Sequence, residues 1–367
     1  MAQTIVGLNS PQAVKLFSAS LFQQISRRSY FTRKFASKGK TKPLQILTDL
    51  EVADGDEIRF DLSVAIGGAP VEGDDNRVGS EAKLKFYQDV VRIDQSYKGA
   101  NLGGKMTRKR TLHNHRMLAR EQLEDYWARL YDETIFIYLS GARGIDNSFV
   151  WPLGWTGRAN NALQAPDAEH QMYGDGTSKV TLTTAGKMTR DVIERVVTKA
   201  RTMGGGAQQN GLVKIQPCNV EGINRFVFLM HTYQEHDLRT TTGTGGWLDI
   251  QKAAAGAEGR QNPIFNESLG LVRDCILHSH ESVIRFDDYG AGSNVKAARA
   301  LFMGAQAGVL AFGSPGEGLR FSWHEEQQNR GNEVVIGADV IWGAKKTQFN
   351  GRDYSTMAVD TAAADPG

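Results

Sequence analysis

The chain has 367 residues, 40% of them hydrophobic and 23% charged, with a net charge of only +2. That is material for a real core and about two domains, and it excludes a strong polyanion binder acting through overall charge. No run of about 18 apolar residues exists to span a membrane, and the two cysteines, Cys218 and Cys275, form neither a disulfide framework nor a metal-site spacing, so a reducing compartment is expected.

The even net charge hides an asymmetry. Before Asp49 there is no acid, while Lys15, Arg27, Arg28, Arg33, Lys34, Lys38, Lys40 and Lys42 are basic. Val14, Phe17, Leu21 and Ile25 recur at spacings of 3 and 4, which predicts a short amphipathic helix over 11–26 whose stripe needs a partner surface. Residues 27–45 then read as a basic, extended connector able to contact phosphates nonspecifically by counterion release. The same Ser- and Arg-rich composition also suits a mitochondrial transit peptide, so an organellar enzyme stays as an alternative on this segment alone.

From Glu57 to Val64 the residues alternate polar and apolar, as a half-buried strand does. Turn-forming residues between Gly67 and Gly79 follow, and 84–87 and 90–93 read as returning strands, giving a long hairpin. Two strands have no sheet behind them, so Phe60, Leu62, Val64, Phe86 and Val91 are expected to lie against a neighbouring molecule.

Residues 115–139 carry the strongest helical pattern, with Leu123, Trp127, Leu130 and Tyr131 on one face and Arg120–Glu124, Asp125–Arg129 and Arg129–Glu133 at i,i+4 on the other. Gly141 is the expected stop. Loops and short strands are expected over 142–186, and a helix over 190–203 with Thr189 as its N-cap. Beyond it come a strand at 225–230, a short helix around 236–239, a small-residue helix at 294–307, a strand at 309–312, and closing β segments at 332–343 and 356–359. A long helix, a hairpin and a mixed core together argue for α+β.

Chemical motifs are sparse. Gly99–Lys105 has P-loop spacing, but Met106 stands where Ser or Thr should hold magnesium. His278 and His280 lack a third metal ligand, and the acid pairs 74–75 and 287–288 sit beside glycines, where solvated turns are the default. No nucleophile elbow exists. No catalytic, metal or cofactor site is expected.

Several short stretches, in order, carry a resemblance: Phe31–Gly39, Leu47–Leu50, Ile58–Phe60, Gly104–Thr107, Asp132–Phe136, Leu139–Gly141, Asp237–Arg239, Trp247–Ala253, Asn262–Phe265, Lys345–Lys346, Phe349–Gly351 and Val359–Thr361. Over about residues 30–362 the chain resembles the HK97-fold major capsid proteins of tailed double-stranded DNA phages, of the kind found in phage N-four. The resemblance implies an arm (1–45), an extended loop (46–106), a peripheral domain with a spine helix (107–204), an axial domain (205–330) and a peripheral return (331–367).

It further implies a non-enzymatic shell subunit that assembles into hexamers and pentamers of an icosahedral head, built in the cytoplasm of the bacterial host and retained in the virion. The implied partners are other copies of the chain, a portal protein, scaffold or decoration proteins, and packaged DNA in nonspecific contact. Phe17, Leu21, Arg27, Arg28, Arg33, Lys34, Phe60, Leu62, Val64, Phe86 and Val91 are the candidate inter-subunit contacts. An encapsulin-type nanocompartment of the same fold is the rival.

Overall fold

The computed structural model describes residues 21–367 apart from 52, 64–69, 74–77, 79–85, 112, 204–213, 221, 241–268 and 315–319. Residues 11–20 of the expected 11–26 helix, residues 67–69, 74–77 and 79 of the hairpin tip, and the stretches Trp247–Ala253 and Asn262–Phe265 therefore lie outside the described residues.

The spine helix runs His115–Ser140, one residue beyond the expected end. The Asn114 side chain accepts from the backbone N–H of Arg116 at 3.2 Å and Met117 at 3.4 Å, capping the first turn. Gly141 closes the last turn at φ 69°, its N–H donating to Ile137 O at 2.9 Å. The first turns are amphipathic. From Leu130 onward every side chain of the helix is buried, because sheets cover it on more than one side. Arg120–Glu124 (3.1 Å) and Arg129–Glu133 (3.5 Å) form as the spacing predicts, whereas Asp125 pairs with Arg28 from the start of the chain.

One sheet packs on this helix. Its order is Ala36–Ser37, Leu44–Leu47, Gly308–Gly313, Glu333–Lys346 and Phe321–Gln328, with Asp94–Asn101 on the free edge of Glu333–Lys346. Along that long strand Ile336, Ala338, Val340, Trp342 and Ala344 alternate inward to the core shared with the spine helix.

The second sheet is ordered Gly270–Val272, Cys275–Ser279, Ile223–Met230, Val295–Met303, Thr356–Ala362 and Gln171–Tyr173. Val227, Leu229, Ile276, Leu301 and Met303 belong to the core of the spine helix. Phe226, Phe228, Leu277, Ala300 and Phe302 pack with the helix Arg190–Thr202 on the other face. A sheet covered on both faces needs continuous apolar strands, and this corrects one expectation. Residues 294–307 are not a helix: Val295–Met303 is a central strand, paired with Ile223–Met230 and Thr356–Ala362. The closing segment divides, Glu333–Lys346 joining the spine sheet and Thr356–Ala362 the second.

The start of the described chain is also not an extended connector. Residues 21–28 and Tyr30–Lys34 are helical, the second helix capped by Ser29, and Leu44–Leu47 is a strand of the spine sheet. The predicted hairpin forms from Glu57–Ser63 and Phe86–Arg92, in register from Glu57↔Arg92 to Ser63↔Phe86, and makes a two-stranded sheet of its own.

Candidate assembly surfaces

Among the described residues the hairpin pairs with no third strand, and it is fastened at its root. Asp89 accepts from Lys345 Nζ and from the Gln348 amide at 2.9 Å. Asn161 brackets Arg92, accepting from its N–H at 3.0 Å and donating to its carbonyl at 2.8 Å. Ile58 and Val91 are buried with Leu47, Leu50, Val309 and Ala311, and the Phe60 ring meets Phe349 edge-on at 5.9 Å. Val91 is therefore covered by its own chain and is not available to a neighbour. Phe60 is half-buried. The backbone of Leu62 and Phe86 lies in the hairpin ladder, while their side chains, and Val64 entirely, lie outside the described residues.

The arm is held by the spine helix. Asp132, deep in that helix, accepts from Ser29 Oγ (2.8 Å), Tyr30 N (2.8 Å) and Phe31 N (3.0 Å), so one carboxylate serves the start of the Tyr30–Lys34 helix. Burial pushes its pKa up to about 6 against the pull of those donors. Arg28 pairs with Glu124 at 3.2 Å and with Asp125. Lys34 is buried with its ammonium 4.4 Å from the Tyr30 ring centroid, and Leu21 is fully buried in the main core. Leu21 and Lys34 are thus intramolecular, correcting their place among the contact candidates. Arg27 and Arg33 are exposed, and Phe17 lies outside the described residues. Neither Asp132 nor Asp89 was singled out from sequence. Their partners stand about a hundred residues or more away, and no local spacing signals such pairs.

The motifs that look like chemistry resolve into structure. Gly99, Ala100 and Asn101 are extended and paired with Gly337, Ile336 and Val335, so their backbone is held in a ladder and not wrapped as a phosphate cradle. His278 is buried against the edges of Tyr30 and Phe35, and His280 lies against Phe136. Among the described residues no group of three or more His, Cys, Asp or Glu side chains is placed to hold a metal.

One polar cleft has Arg129, Glu133, Asp146, His231 and Arg285 along its wall. Asp146 is tied to Arg285 at 2.9 Å, Glu133 accepts from Val150 N at 2.7 Å, and His231 Nδ1 accepts from Tyr233 N at 3.0 Å. Burial, and then the Arg285 charge, push His231 down to about 4, so its ring is neutral and engaged with backbone. These groups hold loops to the spine helix.

A buried ionic knot joins the spine helix to the second sheet. Arg299 donates to Asp360 at 2.7 and 2.9 Å, to Tyr289 Oη at 2.9 Å and to the carbonyl of Ser140 at 2.9 Å. Among the described residues the hairpin strands pair with no third strand, and the helix Lys105–Arg110 and the first turn of the spine helix are largely exposed.

The profile of the phage capsid protein family matches residues 5–365. The chain belongs to this family. It is a phage major capsid protein that forms the capsid shell, with the HK97-like α+β fold, and the encapsulin and organellar-enzyme readings give way to it. The family is structural, not enzymatic.

The capsid of Ralstonia phage GP4 is 46% identical over 100% of both chains, with a TM-score of 0.87. The major capsid protein of Pseudomonas phage KPP25 is 24% identical over 375 residues, 93% of each chain. The cyanophage Pam1 capsid, 23% identical over 92% of this chain and 93% of its own, has a TM-score of 0.71 and shares the fold. For a capsid protein the consequence is multimeric assembly and a place in the virion.

Proposed function

We propose that this capsid protein closes its shell as hexamers and pentamers, with the Glu57–Arg92 hairpin lapping over the adjacent subunit and the sheet built on Val295–Met303 forming the axial part of each capsomer. The observation that carries this reading is the hairpin itself: among the described residues its two strands pair with no third strand, and they are set on the spine sheet only at the root, through Ile58, Val91, Asp89–Lys345 and Asn161–Arg92. An isolated two-stranded ribbon is marginal in water, so its natural support is another copy.

In this reading 1–45 is the arm, 46–106 the extended loop, 107–204 the peripheral domain, 205–330 the axial domain and 331–367 the return, except that the strands near 308–328 serve the peripheral side and Gln171–Tyr173 and Thr356–Ala362 join the axial sheet. The exposed Arg27 and Arg33 supply nonspecific contacts to packaged double-stranded DNA or to a neighbour. A portal protein and scaffold or decoration proteins complete the head, which assembles in the bacterial host cytoplasm. Within the family the chain resembles the phage N-four group, and the subunit carries no catalytic role.

Electron microscopy and sedimentation of the purified chain test the proposal. Capsomers or closed shells are expected at micromolar concentration. A stable monomer at every salt and protein concentration sampled would remove it.

A further inference from the structure

The chain segregates its charge in two places that the arm does not include. Residues 102–120 hold six Lys and Arg and no acid, while residues 49–72 hold seven acids and one base. In the basic stretch Lys105, Lys109 and Arg110 are exposed and form no ion pair among the described residues, unlike Arg116, which is bound to Glu325 at 2.7 Å. In the acidic stretch Asp54, Asp56, Asp61 and Glu72 are exposed and equally unpaired among the described residues, whereas Glu51 is engaged by Arg320 and Glu57 by Arg59.

The two patches cannot satisfy each other within one subunit. The short basic helix Lys105–Arg110 is pinned to the start of the long strand Glu333–Lys346, through Lys105 N to Asn332 Oδ1 at 3.2 Å and Arg108 to Asn332 O at 3.1 Å. The acidic root is pinned near its far end, through Asp89–Lys345 and the pairing of Asp94 with Trp342. Ten residues of strand separate Asn332 from Trp342, roughly 33 Å at about 3.3 Å per residue, several screening lengths in physiological salt. The hairpin strand Phe86–Arg92 enters the edge strand Asp94–Asn101 with one residue between them, and Asp89 meets Lys345 and Gln348, beyond Trp342. Its root therefore lies on the side away from the basic helix.

We infer that the basic helix Lys105–Arg110 of one subunit is the docking site for the acidic root of the hairpin, Asp54, Asp56 and Asp61, of the next copy of this chain. The inference rests on the lapping hairpin of the proposed function and adds its address. Opposite charges at opposite ends of a rigid strand give a head-to-tail contact that closes into rings, the heterologous geometry a capsomer requires. Met106, Met117 and Leu118, exposed at 60%, 62% and 47%, stand on the same segment. Methionine and leucine interleaved with arginine suit a protein interface better than a phosphate backbone, which offers nothing apolar. A second copy is favoured over DNA on this ground.

Charge exchange tests it. The triple variant Lys105→Glu, Lys109→Glu, Arg110→Glu and the separate triple Asp54→Lys, Asp56→Lys, Asp61→Lys should each raise the protein concentration needed for assembly by on the order of ten-fold or more. Combining all six in one chain should bring it back towards the wild-type value. Substituting the three cations by Gln, with circular dichroism as the folding control, should flatten the salt dependence of assembly.

Variants that assemble at the wild-type concentration would overturn the inference while leaving the hairpin lap intact, since wild-type shells would still form. So would empty shells that form normally with only DNA filling reduced, which would mark the patch as a nucleic-acid contact. Loss of assembly in both triples without restoration in the sextuple would overturn it equally.

Discussion

Asp132 shows how a charge that looks like helix surface becomes a structural peg. It stands beside Glu133, one of the paired charges of the polar face, yet it is 8% exposed and receives three donors from the arm. Burial is the largest influence on it and raises its pKa to about 6. A carboxyl whose folded pKa exceeds its unfolded value, ordinarily about 4, favours the fold most below that unfolded value. The contribution is lost as pH rises through about 6. Lowering the pH from 7 to 4.5 should therefore stabilise the unassembled wild-type subunit relative to Asp132→Asn, by on the order of 2 kcal/mol in urea unfolding. A difference independent of pH would show that the carboxyl titrates normally. Asp132→Ala should cost about 1–3 kcal/mol at pH 7, since it strands the Ser29 hydroxyl and two amides. Lys34 teaches the same lesson: sequence marks it as basic and exposed by type, and only the packing of Tyr30, Phe31 and Phe35 reveals that it is covered.

At the level of elements, periodicity was readable where one face meets solvent and misleading where neither does. The spine helix and the helix Arg190–Thr202, with its Thr189 cap, follow their sequence patterns closely, because each starts at a capping side chain and carries an amphipathic stretch. Val295–Met303 reads V-K-A-A-R-A-L-F-M, whose alanines favour a helix by propensity. Burial between the spine helix and Arg190–Thr202 overrides that preference, and the one buried charge of the run, Arg299, is neutralised by Asp360. Gly141 offers a clean test of how firmly the spine helix must stop. At φ 69° a Cβ would lie 2.1 Å from Gln164 O, whereas at Gly351, with the same φ of 69°, a Cβ would meet nothing within 4 Å. Gly351→Ala should therefore cost about 1 kcal/mol of backbone strain, and Gly141→Ala at least about 2 kcal/mol, both read as shifts in urea midpoint. Equal costs would mean that the 164–165 loop yields freely.

On the scale of the whole molecule, the subunit divides its work between a firm body and a projecting ribbon. The two sheets share one core through the spine helix, and the Arg299 knot ties that helix to the second sheet. The hairpin adds only its root to this body. The existence of the ribbon was legible in the alternation of residues 57–64. Its fastening was not, because Asp89, Asn161 and Lys345 come together from distant parts of the chain. Replacing residues 67–79 with a short Gly-Ser turn should leave Ile58, Val91 and Asp89 where they are. The subunit should then keep its circular dichroism and unfold within about 0.5 kcal/mol of wild type, as changes away from packed groups do. With the hairpin lapping over the next subunit as proposed, shell formation should fail, since many modest contacts repeated round a closed lattice would be lost together. A deletion that unfolds the subunit would make the hairpin part of the internal core. Shells of undiminished stability would move the decisive contacts to the spine helix and the second sheet, and the free length of the ribbon would then have no structural reason to be held so firmly at its base.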